Sequence, residues 1–183
     1  MKPETVVKRR RVYQGKLLNL DVNEVALADG TLVKREIVST RGAVVIIPLT
    51  GDNRVRLVRQ FRAAVDRWVY ELPAGGLEPD EDPGLAAPRE LAEETGDTAA
   101  TWQKLGGFYP APGILTEYLH LYLATNLTPG PANLEFDEHI EVITLSWAEA
   151  MAKIKAGEIE DAKTIAGLAL AALHLPHLSI GAD

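Results

Sequence analysis

An α+β fold is predicted from three features of the chain. Alternating apolar and polar residues open it, a continuously apolar run stands at 43–49, and helical spacing is confined to a segment near residue 90 and to the last quarter. A chain of 183 residues suits one domain with a small appendage and is long enough for a sizeable core. The expected division is an N-terminal antiparallel β-subdomain over 1–40 and a main domain over 41–183.

The elements follow in order. Alternation over 5–13, 18–27 and 32–38 predicts three strands, and Asp29-Gly30 offers the pair that favours a tight hairpin between the second and third. The unbroken apolar run of 43–49 suits a buried strand, and a second strand over 54–61 follows the Gly51-Asp52-Asn53 turn. Residues 68–72 form a short strand ended by Pro73, and Gly75-Gly76 lets backbone fold closely around a neighbour. Asp82 serves as a helix N-cap with Pro83 at the first helical position, and Gly96 stands where a left-handed C-cap belongs. Leu85, Ala87, Leu91 and Ala92 are the expected core stripe of that helix. Pro88 would remove a hydrogen bond and clash one turn back, at roughly 3 kcal/mol, so the helix is expected to begin near Leu85 rather than to kink. Strands are expected over 102–109, 117–124 and 140–145, and Ser146 with Glu149 forms a capping box for a helix to about Lys155. A last, apolar helix begins at Asp161 and runs to about Leu175.

Composition excludes several classes of function. The absence of cysteine removes thiol nucleophiles, thiolate metal sites and disulfides, and fits a reducing, cytoplasmic setting. No apolar run spans a bilayer, and no charged-then-apolar leader follows Met1. A net charge of −7 argues against a nucleic-acid partner, and Lys8-Arg9-Arg10-Arg11, the only basic run, reads as the solvated start of an edge strand. The four histidines are scattered, and Trp102 and Trp147 read as packing residues, with Trp68 the better placed to line a pocket.

The chemistry is concentrated between residues 75 and 96. Glu90 and Glu94 lie four apart and share one helix face, with Glu93 three from Glu90. Like charges so close repel by a few tenths of a kcal/mol per pair on an exposed helix, so the cluster is either a tolerated solvated face or is neutralised by a cation. Oxygen-only donors suit Mg²⁺ or Mn²⁺. Gly75, five residues, Glu81, seven residues, then Arg89-Glu90-Leu91-Ala92-Glu93-Glu94-Thr95-Gly96 fixes seven positions. At about 7% per position, chance produces that on the order of once in a million over this length, so the spacing favours the cation site.

This pattern resembles the Nudix box, the loop–helix motif of hydrolases that cleave a nucleoside diphosphate linked to another group. The resemblance implies an α/β/α sandwich with a mixed sheet, a divalent cation, and attack of water on a pyrophosphate phosphorus. It implies a metal-holding set of the Ala74 carbonyl, Glu90, Glu94 and Glu93, with Glu81 and Arg89 behind them, Arg89 pairing with the carboxylates to hold them in place. Glu93, Glu94 and Arg89 are thereby the implied catalytic residues. One departure is Asp97, where the box ends in an apolar residue.

Outside the box the chain resembles the ADP-ribose pyrophosphatase branch, through Lys34-Arg35-Glu36-Ile37-Val38, Val58-Arg59-Gln60-Phe61-Arg62, Glu71-Leu72-Pro73-Ala74-Gly75, Tyr109-Pro110-Ala111-Pro112-Gly113 and Asp161-Ala162-Lys163-Thr164. That branch implies hydrolysis of ADP-ribose to AMP and ribose 5-phosphate, and a homodimer that brings Arg35 and Glu36 near the other copy's pocket. Arg62, Glu71, Pro112 and Gly113 complete the implied substrate-binding set, the alternative for Arg62 being a surface partner of Asp66. Glu138, in the acidic stretch 134–139, is the implied base for the attacking water, against a plain solvated acidic loop. The stretch 157–164 also resembles the GDP-mannose-hydrolysing neighbours, which gives the second expectation, a nucleoside-diphosphate-sugar hydrolase. A nucleotide-sensing module without turnover is the third, and the retention of all four box glutamates weighs against it.

Overall fold

A computed structural model describes residues 2–134 and 139–178. The described residues of 1–42 and 109–118 form one compact unit, and those of 43–108 and 119–178 another.

The first unit is an antiparallel sheet of β1 (Glu4–Lys8), β2 (Arg11–Gln14), β3 (Asn19–Leu27) and β4 (Leu32–Ser39). β4 lines one edge of β3 from Asn19 to Ala26, while β1 and β2 follow one another along its other edge. The single strand expected over 5–13 is thus two, because the register against β3 shifts after Val6 and again after Arg11. Arg9 and Arg10 stay outside both strands, in solvent, where their charge costs nothing to desolvate. The predicted hairpin forms, with Gly30 at φ 86° and the Thr31 N–H donating to Asp29 Oδ1 at 2.9 Å.

The second unit holds two sheets. β5 (Ala43–Pro48) lies parallel to β10 (Leu119–Thr128), flanked by antiparallel β8 (Ala74–Gly76) and β9 (Thr98–Phe108) in the order β8-β5-β10-β9. β6 (Arg54–Arg62) sits between β7 (Arg67–Glu71) and β11 (Ile140–Ser146), all antiparallel. The helices are α1 (Pro83–Thr95), α2 (Trp147–Lys155) and α3 (Ala162–His174), followed by a short 3₁₀ turn, Pro176–Leu178. No described helix is long and apolar enough to cross a membrane.

Alternation along β5 explains its continuously apolar sequence. Val45 and Ile47 pack with β6, α2 and α3, whereas Val44 and Ile46 pack with Ala86, Ala87 and Leu91 of α1. Helices therefore cover both faces of a mixed sheet, the layering of an α/β/α sandwich. These four side chains are fully buried, contributing about 1.5–3 kcal/mol each. On α3, Gly167 lets the helix approach closely, since a β-carbon there would lie 2.7 Å from Leu72 Cδ1.

Two expectations about α1 are corrected. The helix starts at Pro83, not near Leu85, because Asp82 accepts from the Gly84 N–H at 2.7 Å and its carbonyl takes the Leu85 and Ala86 N–H groups. Pro88 then removes the bond to the carbonyl of Gly84, an exposed residue that water reaches. The core stripe shifts accordingly: Ala86 is buried and Leu85 is 71% exposed. The Ser146–Glu149 capping box forms as predicted.

Candidate active site

The loop from β8 to α1 and the first face of α1 place the box residues. A β-carbon on Gly75 would fall inside the van der Waals shell of the Glu90 carboxyl, so glycine here makes room for that group. Glu94 is 4% exposed and accepts a hydrogen bond from the Ala74 N–H at 3.0 Å, fixing the helix carboxylate to the strand before the loop.

Arg89 gathers the other three glutamates. Its Nε and Nη2 donate to the two oxygens of Glu81, each at 2.9 Å, and its Nη1 donates to Glu90 at 2.7 Å and Glu93 at 3.0 Å. Glu81 is further fixed by the Glu78 N–H at 2.9 Å, and its bonds to Arg89 hold its carboxyl below the ordinary range. The same bonds to Glu81 raise the Arg89 pKa, against the opposing effect of burial. The arrangement offsets the like-charge repulsion that the sequence implied.

Among the described residues no three carboxylates or imidazoles form a ready-made metal cage. The donor set nevertheless fits a hard divalent cation. Glu90 and Glu93 already converge on one positive point, Arg89 Nη1, and every donor brought together here is an oxygen.

A second cluster lies on β6, β7 and α3. Glu71 is 2% exposed and receives the Arg62 fork, Nε to Oε1 and Nη2 to Oε2, both at 2.7 Å. Lys163 also donates to Glu71 and lies 3.1 Å from Asp161. Burial pushes the Glu71 carboxyl up, but the Arg62 bonds and the Lys163 charge outweigh it and leave it below its ordinary value. Asp66, the alternative partner for Arg62, is not the one observed. The Glu94 charge helps raise the Arg62 pKa, after Glu71 and burial have acted, and Ala74, three residues past Glu71, donates its N–H to Glu94.

Lys163 is not among the site residues that the sequence suggests, although it lies within the matching stretch Asp161-Ala162-Lys163-Thr164. Asp161 caps α3 by accepting from the Thr164 N–H at 2.9 Å, and Thr164 Oγ1 accepts from the Leu72 N–H at 2.7 Å. That bond brings the first turn of α3, and with it Lys163, to the end of β7.

Arg35, Glu36, Pro112 and Gly113 all belong to the first unit. There Arg35 donates to Glu4 Oε1 at 2.5 Å. Glu138 lies outside the described residues. The described ends of its segment are pinned, the Asn133 N–H to the Glu93 carbonyl at 3.0 Å and the Phe61 N–H to the His139 carbonyl at 3.4 Å. Asp97, the departure at the end of the box, is 1% exposed and faces Arg56 Nε at 2.6 Å. Trp68 is partly exposed, packed edge-on against Phe61 and under Arg59, while Trp147 lies in the core.

Residues 39–168 match the model of the NUDIX domain. The chain is 37% identical over 163 residues to the ADP-ribose pyrophosphatase of Bacillus subtilis (strain 168), covering 88% of each. It is 36% identical over 151 residues to the GDP-mannose pyrophosphatase of Cronobacter sakazakii, covering 75% of this chain and 78% of that one. A crystal structure of an ADP compounds hydrolase superposes with a TM-score of 0.83 at 22% identity, over 97% of this chain and 96% of the other, a likeness of fold.

Proposed function

The chain belongs to the Nudix family, as a hydrolase of the ADP-ribose pyrophosphatase branch, and we propose that it cleaves the pyrophosphate of ADP-ribose with Mg²⁺ to give AMP and ribose 5-phosphate. The observation that carries the site is the gathering of Glu81, Glu90 and Glu93 on Arg89, with Glu94 fixed to the Ala74 N–H beside them.

Glu90, Glu94, Glu93 and the Ala74 carbonyl would hold the cation. When bound, such an ion offsets charge on the pyrophosphate oxygens and acidifies a coordinated water. The chain's own groups do the rest by positioning, since phosphoryl-type transfer needs little covalent help. Arg89 keeps the carboxylates converged and Glu81 keeps Arg89 oriented. Glu71, itself held by Lys163, fixes Arg62 so that its remaining Nη1 edge serves a substrate phosphate oxygen. Glu138 takes the proton of the attacking water. The pinning of its segment to Glu93 at one end and to the strand of Arg62 at the other supports that role.

A homodimer belongs to the same reading, with Arg35 and Glu36 of one copy, and Pro112 and Gly113, at the substrate. Support comes from the first unit, where Val6, Val7, Val12, Tyr13, Leu17, Leu18 and Leu32 are all exposed, apolar surface that a second copy would cover. The substrate is a small nucleoside diphosphate compound, and the cytoplasm is the proposed location, consistent with a chain free of cysteine.

The likeness to a GDP-mannose pyrophosphatase favours a second reading, hydrolysis of another nucleoside diphosphate sugar. The test is release of a phosphate monoester from ADP-ribose and from GDP-mannose with Mg²⁺, for the wild type and Glu94→Gln. The expected result is a higher kcat/KM on ADP-ribose and a loss on the order of 100-fold in the variant. Equal rates in both proteins would remove Glu94 from the reaction. A preference for GDP-mannose would replace the first reading with the second.

A further inference from the structure

Gln60 is a buried polar residue that nothing described so far uses. It is 8% exposed, and its Oε1 lies out of solvent without a hydrogen-bond partner among the described residues. Leaving a buried acceptor unmade is costly, by more than a made hydrogen bond returns, so the position calls for a reason.

Its placement supplies one. Side chains alternate along β6, so Arg56, Val58, Gln60 and Arg62 share one face of the sheet. Register puts Val69 and Ile140 directly opposite Gln60, and Glu71 opposite Val58. Gln60 is therefore a diagonal neighbour of Glu71 and the next residue on its face from Arg62, and Glu71 stands three residues before Ala74, whose N–H holds Glu94 of the box helix. Other buried polar atoms without a hydrogen bond have other settings: Asn19 and Asn23 lie in the first unit, Arg56 and Asp97 form an ion pair, and Trp147 starts α2. A hydrophobic residue would fill the Gln60 site between Val58, Val69 and Ile140 at no desolvation cost, yet an amide stands there.

We propose that Gln60 is a ligand-contacting residue whose amide oxygen accepts a hydrogen bond from an O–H group in the substrate complex, either a sugar hydroxyl of the nucleoside diphosphate compound or the attacking water. The inference rests on the reading of this face as the substrate side. Among the described residues nothing satisfies the oxygen, so its removal is expected to harm only the complex.

That asymmetry makes the test sharp. Gln60→Met keeps the length and shape of the side chain and deletes the acceptor. Thermal unfolding without ligand and steady-state kinetics on ADP-ribose and GDP-mannose are measured for both proteins. The expected result is a Tm equal to or above that of the wild type together with a kcat/KM about tenfold lower, the factor that one hydrogen bond supplies. A rise in KM that differs between the two substrates identifies a sugar hydroxyl as the donor, and an equal fall in kcat on both identifies the water. Unchanged kcat and KM on both substrates would overturn the proposal, and so would an activity loss matched by a fall in Tm, which marks a structural role. If the wild type hydrolyses neither compound, the proposed function fails. The Gln60 proposal is then still decided by the Tm shift that each compound induces, larger in the wild type than in Gln60→Met if the contact exists and equal if it does not.

Discussion

Glu71→Gln isolates the electrostatics of the buried cluster on β6, β7 and α3. The substitution preserves shape but removes the charge that holds Arg62 in two bonds of 2.7 Å and Lys163 beside them. Breaking a buried ion pair from one side costs about 3–5 kcal/mol, because the other charge is left desolvated. Here the lower end applies. Arg62 is partly exposed and can be hydrated, and Lys163 keeps Asp161 at 3.1 Å. A loss of about 3 kcal/mol in a chain of this size lowers Tm by roughly 6–12 °C. The dependence on pH follows from the direction of the shift. The folded carboxyl lies below its ordinary value of 4.5, so it stabilises the fold above that value and ceases to do so as pH falls through the folded one. The deficit of the variant should be full near pH 7 and shrink below about pH 4. Thermal unfolding followed by circular dichroism at several pH values reads both quantities. A variant within about 2 °C of the wild type at neutral pH, or a deficit that grows on acidification, would refute the reasoning.

Two further substitutions probe the box. Arg89→Lys keeps the charge but not the fork that serves Glu81, Glu90 and Glu93, so kcat/KM should fall by about 10- to 100-fold and Mn²⁺ affinity should weaken while Tm holds. Mn²⁺ titration beside kinetics would contradict this if affinity stayed at the wild-type level. Asp97→Leu replaces a carboxylate whose pKa is raised by burial despite Arg56, and a raised folded value means that stability drains away as pH rises through it. Arg56 retains some exposure, so the variant should lie within about 1 kcal/mol of the wild type at neutral pH and gain on it as pH rises above about 4. Unfolding curves showing a constant difference across that range would count against the burial argument.

The resemblance that set the expectations was carried by spacing, and spacing is local. Gly75, Glu81, Arg89, Glu90, Glu93 and Glu94 lie within 20 residues, and helix periodicity puts Glu90 and Glu94 on one face with Glu93 beside Glu90, while Gly75 and Glu81 come from the strand and loop just before α1. Caps are legible for the same reason: Asp82 and Ser146 each bind a backbone N–H two or three residues on. The start of α1 is not legible from Pro88, because its penalty depends on the exposure of the Gly84 carbonyl it orphans, which belongs to an exposed residue.

The sequence by itself thus determined the strand-rich opening, the buried strand, the box and its family, all properties of residues near one another along the chain. Tertiary structure alone decided which charges meet across long separations. Lys163 joins Glu71 across 92 residues, Arg62 chooses Glu71 over the nearer Asp66, and Asp97 finds Arg56 across β6. Such pairings depend on sheet register and on where a helix packs, and many orders of the same strands would satisfy the same hydrophobic pattern while bringing different charges together.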